Sequence, residues 1–577
     1  MKSFLRCLFN NLSSRVNKEI QESLYENKVF LNSRLSFTER SIVRWSTYYK
    51  KYILLTLMLA GLVTSNLIVW QPWVKPHVIQ YIPEWRELLK WQGSFLGGQL
   101  TIIGVVYPLV VGLVSVLFQN KSAKRVIFPL YQKYSGFMFA GLSGLTLSGF
   151  IVVGYFLRAT ISETTYAAIC LTSALWFASN LLLTAWFFVK TFRMLDETSR
   201  EAIVFRFSIH EACELDVRRR IKQLLLDNAI HHKLIANPDE NIMEVLTYKY
   251  SSDDYKDITR KVNREESLKD IKLWLLNCAI RIQIFILRLK KIQGGKLVVQ
   301  PLRASRTSDI MTVVRYGGFN INPLVKVLIK VAFSFEKEIP QVDIGLTTVL
   351  NGFIGPANDA IRDGDAREFS DAVANLVLWH AELAEALSFK NDKGNLDNWL
   401  ILPAGGLSGR SYLDELMGEY YRLARETVER IPDNSRFYTN MLYLHKRIFS
   451  SRDTLIKQEM RSLIQGSYYM WYLLVEWRSY NSESSDLRVA NKYEDILYDF
   501  VGAWESWLMY IEPRSKRTGD INKAYPAFIT HLEFTASTAI SALRFGNFEA
   551  AGWGVDMLIN WLEQLSRDDH CIVGAQC

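Results

Sequence analysis

The chain has 577 residues, with 68 Lys and Arg against 59 Asp and Glu for a formal charge of +9, and a mean hydropathy of +0.02. That length leaves room for two or three domains of roughly 150 residues each, so it can bury a core of ordinary size. The charge is unevenly placed: residues 1–51 carry +6, residues 52–190 carry +6 and residues 191–577 carry −3, which disfavours nucleic acid as a partner.

The near-zero hydropathy averages an apolar first third with an ordinary polar remainder. Residues 1–51 form a basic arm, and its opening MKSFLRCLFNNLSSRV is an amphipathic stretch expected to lie on an anionic membrane surface. The first apolar run after the arm is not a cleavable signal peptide, because some fifty polar and basic residues precede it and no small-residue cleavage site comes after it.

Four stretches without an Asp, Glu, Lys, Arg or His then occur, at residues 53–70, 98–120, 134–157 and 165–189. Eighteen helical residues at 1.5 Å each reach about 27 Å, close to the hydrocarbon thickness, so each reads as a span. The basic arm and the acid-free loop with Lys121, Lys124, Arg125 and Lys133 are expected in the cytosol, as are Lys190 and Arg193 after the fourth span. Both termini then lie inside, and the protein is expected in a bacterial inner membrane. The segment around Trp73, Trp85 and Trp91 is expected at the opposite interface as an aromatic anchor.

Because lipid tails already satisfy apolar side chains, helices in a bilayer associate through small residues that let backbones approach. Candidate packing or gating positions are Gly104, Pro108 and Gly112 in the second span, Gly136, Ala140, Gly144 and Ser148 in the third, and Ala174 and Ala178 in the fourth. Pro108 is expected to bend its helix. Thr64, Asn66, Gln99, Thr101 and Asn180 are polar candidates for bonds between helices. The absence of a charge at mid-depth disfavours ion-coupled carriers, which use one, but not a pore assembled from several copies.

Residues 191–300 are expected to form a membrane-proximal helical region and residues 301–577 a helical cytosolic domain. Apolar stripes follow Ser411, whose Asp414 suits a capping box, and run from Tyr493 to Ile511. Residues 273–289 and 463–477 are apolar but short and charge-bearing, which fits buried or interface helices rather than crossings. Segments 360–379 and 542–561 align without a gap and each reads as an αα-hairpin turning at Gly-Asp or Gly-Asn. Loops are expected at 249–257, 292–308, 389–411 and 479–486.

Motifs for chemistry are sparse. The string LILPAGGLSGRSYLDEL offers Gly405, Gly406, Gly409, Arg410 and Ser411 as an anion-site candidate, but a phosphate loop requires Gly at Ala404 and Lys at Arg410. His210, Glu211 and Glu214 lack a second histidine, and Asp359, Asp363 and Asp365 miss calcium-loop spacing. The six cysteines, at 7, 170, 213, 278, 571 and 577, form no CxxC pair and read as reduced thiols. No catalytic residue, metal site or cofactor is expected, and no family motif is reproduced.

The fold expected is therefore mainly α: a four-helix transmembrane segment at 52–190 followed by a large cytosolic all-α domain with helical hairpins. The function expected is that of a non-enzymatic, homo-oligomeric membrane protein, enclosing a gated ion pathway or serving as a membrane effector. An anchored scaffold or sensor for a cytosolic protein partner, and a divergent nucleotide- or phosphate-binding enzyme, are the alternatives.

Overall fold

A computed structural model of the chain describes residues 11–69, 85–117, 121–232, 234–236, 239–246, 255–262, 266–299, 310–337, 346–390, 396–402, 411–452, 455–481, 487–511 and 521–566. It divides into two compact units, Arg34–Ser208 and Met1–Ser33 with Ile209–Cys577.

The arm supplies α1 (Leu12–Ser23) and α2 (Lys28–Asn32) to the second of these units. Leu12, Val16 and Ile20 share one face of α1 and are buried where α1 packs on the helix Cys213–Asp227. This corrects the membrane-surface expectation from residue 12 onward, since protein covers the apolar side; residues 1–10 lie outside the described part. Asn27 caps α2 and also donates through Nδ2 to the carbonyls of Glu385 at 2.7 Å and Ser388 at 3.0 Å, tying the arm to distant sequence.

Unit Arg34–Ser208 is helical throughout its described part. It contains α3 (Phe37–Thr47), α4 (Tyr49–Val69), α5 (Trp85–Thr101), a π-turn at Ile102–Val106, α6 (Tyr107–Leu117), α7 (Lys121–Tyr134), α8 (Phe137–Leu157), α9 (Glu163–Leu195) and α10 (Glu197–Phe207). Four helices are long and apolar enough to cross a membrane: Tyr49–Val69, Lys90–Gly112, Phe137–Leu157 and Glu163–Leu195. The second starts at Lys90, ahead of residue 98, and within it Gln92 is buried and accepts a hydrogen bond from the Tyr166 hydroxyl. The fourth has 33 residues, or about 50 Å at 1.5 Å each, longer than the roughly 30 Å of a bilayer's hydrocarbon core.

Instead of a simple bend, the second span carries the π-turn just before Pro108. Proline lacks an N–H and clashes with the carbonyl four residues back, here Gly104, and a widened turn accommodates both. Ala60, Leu147, Ile151 and Trp176 form the buried centre, with Phe95 and Leu96 of the second span packed against it, so all four spans contribute.

The other unit continues with α11 (Cys213–Asp227) and then departs from the all-α expectation. Strands β1 (Met243–Leu246), β2 (Lys256–Lys261), β3 (Glu266–Ile271), β4 (Gly295–Val299), β5 (Ile310–Gly317) and β6 (Phe333–Lys337) enclose α12 (Leu273–Leu289) and α13 (Pro323–Ala332). One sheet has the order β1-β4-β5-β2, with β1 and β4 parallel and the other pairs antiparallel, and β3 pairs with β6. Thus β4 stands where residues 292–308 suggested only a loop, and β2 begins inside 249–257. Each strand is short and several alternate weakly, so the stronger 3.6-residue pattern of α12 masked them.

From residue 346 the described part is helical apart from a hairpin of β7 (Ser388–Lys390) and β8 (Leu396–Asn398), which occupies part of the loop expected at 389–411. The helices are α14 (Leu346–Asp363), α15 (Ala366–Ala386), α16 (Tyr412–Glu429), α17 (Arg436–Leu442), α18 (Leu444–Ser450), α19 (Lys457–Tyr480), α20 (Leu487–Glu505), α21 (Leu508–Ile511), α22 (Ile521–Arg544) and α23 (Phe548–Ser566). Both aligned segments form αα-hairpins: Gly364 at φ +79° and Gly546 at φ +70° end the first helices, and Asp365 and Asn547 accept bonds from the N–H groups that open the second. Residues 463–477 lie within α19, whose Leu463, Ile464, Met470 and Trp471 are buried.

Adding a Cβ at a left-handed position costs roughly 1–2 kcal/mol, whereas Gly in a helix interior costs about 1 kcal/mol against Ala. Gly364→Ala and Gly546→Ala should therefore each lower the thermal midpoint of this unit by circular dichroism. Gly502→Ala, in α20 with open space around it, should raise it.

Candidate functional site: a polar seam and an open glycine face

Span four bears Tyr166, Thr172, Trp176, Asn180, Lys190 and Thr191 along a buried side, each within reach of another helix. A buried polar group without a partner is costly, so these side chains favour neighbours that can bond to them. Thr172 meets Thr64 of span one at 3.0 Å. Asn180 accepts from Ser143 of span three at 2.8 Å and donates to Gln99 of span two at 3.3 Å, while the Trp176 indole donates to Ser143 at 3.0 Å. The five-residue set Gln99, Ser143, Trp176, Asn180 and Gly144 is one built unit, because a Cβ on Gly144 would collide with Gln99 Nε2.

At the basic end, the Lys190 ammonium donates to Glu39 Oε1 at 2.6 Å and to the Tyr134 hydroxyl at 3.0 Å, and Tyr134 donates to Glu39 at 2.8 Å. Burial alone would raise the Glu39 carboxyl, but the bonds from Lys190 and Tyr134 outweigh it and hold it down at about 2. One cluster thus joins the arm helix α3, the loop helix α7 and the exit of span four. Ser46 adds a bond to the Gln132 carbonyl at 2.9 Å.

The small residues divide into used and open sets. Ala140, Gly144 and Ser148 are buried inside the bundle. Gly136 lies before α8 as its cap at φ +76°, where Ile42 crowds it, so it serves a turn rather than a span face. Ala174 is half-buried and Ala178 exposed. On span two, Gly93, Gly97, Gly104 and Gly112 have nothing among the described residues within 4 Å of a would-be Cβ, and Pro108 is exposed beside them. Spacings of four and seven residues put Gly93, Gly97 and Gly104 on one face. Of the polar candidates, Thr64, Gln99 and Asn180 bond between helices, whereas Thr101 and Asn66 bond back to the carbonyls of Gly97 and Leu62.

The unit made of Met1–Ser33 and Ile209–Cys577 holds a second polar concentration that motif reading missed. Arg452 and Glu459, almost fully buried, pair at 2.7 Å. His380 Nε2 stands 3.9 Å from the same carboxylate and its Nδ1 lies 3.1 Å from the Tyr420 hydroxyl, with His445 packed edge-on to Tyr420. Burial pushes His380, His445 and His531 down to about 3, so all three are neutral at pH 7. Among the described residues no group of three metal-ligating side chains occurs.

Gly405, Gly406, Gly409 and Arg410 of the anion-site candidate lie outside the described residues. Ser411 caps α16 in a box with Asp414, whose carboxylate takes bonds from the Ser411 N–H at 2.7 Å and hydroxyl at 2.8 Å. That acid stands where an anion would sit. Asp359 and Asp363 pair with Arg362, and Asp365 caps α15.

Lys190→Met strands the Glu39 carboxylate and should destabilise the unit by about 3–5 kcal/mol, most of it recovered in the double variant with Glu39→Met, read by thermal unfolding in detergent. The unfolded state of the soluble unit binds protons at three histidines below pH 6.5 that the folded state refuses until about pH 3. Its melting temperature should therefore fall as pH drops below 6.5, with a shallower slope in His445→Leu. Comparison of the chain with protein-family models, curated proteins and solved structures gave no match.

Proposed function

We propose that the chain is a four-span protein of the bacterial cytoplasmic membrane, with both termini in the cytosol, that self-associates through span two and has no chemistry of its own. The open glycine face carries this reading. Ala140, Gly144 and Ser148 of span three are already covered within one copy, whereas Gly93, Gly97, Gly104 and Gly112 stand uncovered among the described residues on a helix otherwise suited to lipid. Close backbone approach by a second copy is the arrangement that such a face favours.

The orientation is supported by the meeting of Glu39, Tyr134 and Lys190, which puts the arm, the loop after span two and the exit of span four at one end, the end rich in Lys and Arg. The polar seam is hydrogen-bonded inside one copy, so a gated ion pathway would lie between copies, bordered by span two. In this role the soluble unit controls the assembly from the cytosol.

An anchored scaffold is the second reading, favoured by the exposed Ile540, Leu543, Phe548, Val555 and Ile559 on the closing hairpin of α22 and α23. Gly97→Leu with Gly104→Leu should weaken self-association at least tenfold by light scattering in detergent and abolish any current in planar bilayers. Gly61→Leu, on an exposed position of span one, should leave both unchanged. A wild-type protein that is strictly monomeric in nanodiscs would leave the scaffold reading standing alone.

A further inference from the structure

The helices α12 and α13 form an outer layer with an uncovered apolar side. They run antiparallel: the Lys272 N–H donates to the Ala332 carbonyl at 2.8 Å, while Gln283 accepts from the Asn322 N–H at 3.2 Å. Leu276, Ile280, Ile284, Val325 and Ile329 are buried on the inner side. Opposite them stand Phe285, Leu289, Leu324, Val327 and Val331, each more than half exposed. An apolar surface of this extent on a monomer marks a site of interaction.

The charges beside it identify the occupant. Residues 273–291 contain Arg281, Arg288, Lys290 and Lys291, and residues 323–332 contain Lys326 and Lys330, with no Asp or Glu in either stretch. Arg281, Arg288, Lys290, Lys291 and Lys326 are exposed, and Arg288 reaches Asp239 at 2.8 Å. Apolar side chains on two helices whose own charged residues are all cations match the boundary between acyl chains and anionic headgroups. A second copy docked by two-fold symmetry on the same face would oppose cation with cation.

We propose that the α12–α13 face docks on the anionic surface of the bilayer that holds the spans, with Phe285, Leu289, Leu324, Val327 and Val331 entering the headgroup boundary. Docking fastens the soluble unit to the membrane independently of self-association through span two. Each basic residue near such a surface strengthens attachment roughly fivefold, so lipid composition and salt set how firmly the unit is held.

The test uses the full chain without native cysteines, in nanodiscs of phosphatidylcholine alone or with about 30% phosphatidylglycerol, a share at which surface attraction is strong. A spin label at Val327→Cys is scored for collision with oxygen against a water-soluble nickel chelate. Docking predicts a label sheltered from nickel in the anionic discs, and at least a fivefold gain in nickel collision in neutral discs or with Arg281→Glu and Lys326→Glu. Labels at Leu182→Cys, exposed on span four, and Tyr480→Cys, exposed on the soluble unit, report insertion and fold in the same discs. With Leu182 in lipid and Tyr480 in water, a Val327 label open to nickel in both lipids overturns the proposal and leaves the spans intact. Dipolar broadening between Val327 labels on two copies overturns it in favour of a protein interface. A Leu182 label in water instead refutes the membrane reading itself.

Discussion

The helix Glu163–Leu195 carries a row of buried polar side chains, and a buried polar group without a partner is costly. That requirement organises unit Arg34–Ser208. Thr172 requires span one, Asn180 requires spans two and three, and Lys190 requires the carboxylate of Glu39. Apolar contacts alone would not choose among neighbours, since a leucine is as well placed against lipid as against another helix. The polar seam does choose, and Gly144 allows it by leaving room for Gln99.

The same bonds bear on function by what they leave over. Polar groups paired within a copy are poor candidates for lining a pathway, and small residues covered within a copy are poor candidates for joining two. Outward-facing features include the glycine face of span two and, on the unit that contains Ile209–Cys577, two apolar surfaces of opposite character: the cationic α12–α13 layer, and the α22–α23 hairpin, where α23 carries Glu549, Asp556 and Glu563 without a base. The buried Arg452–Glu459 pair and its histidines belong to the helical core, where charge is neutralised in place.

Much of this architecture is legible in the sequence because spans are long and charge-free, and because Gly-Asp and Gly-Asn turns announce helical hairpins. The apolar stripe of α16 from Leu413 to Ala424 is likewise buried as its spacing requires. The partner of Gln92, Tyr166, lies far along the chain, so its burial could not be read from the local sequence. The strands β1 to β6 were hidden by their shortness, and α1 by the fact that amphipathicity specifies an apolar partner without saying whether it is lipid or protein. Of the candidate packing residues, sequence could name the small side chains of spans two and three but not which set is covered, since that depends on how the helices turn toward one another.

On the proposed topology, four crossings bring the arm, the loop after span two and the exit of span four to one side of the membrane. Single cysteines at Phe37, Thr160 and Glu201, all exposed, can be scored in a cysteine-free chain with a membrane-impermeant maleimide. In intact cells Thr160→Cys should label while Phe37→Cys and Glu201→Cys should not, and inverted vesicles should reverse the pattern. Labelling of Thr160→Cys from the same side as Phe37→Cys would contradict that topology.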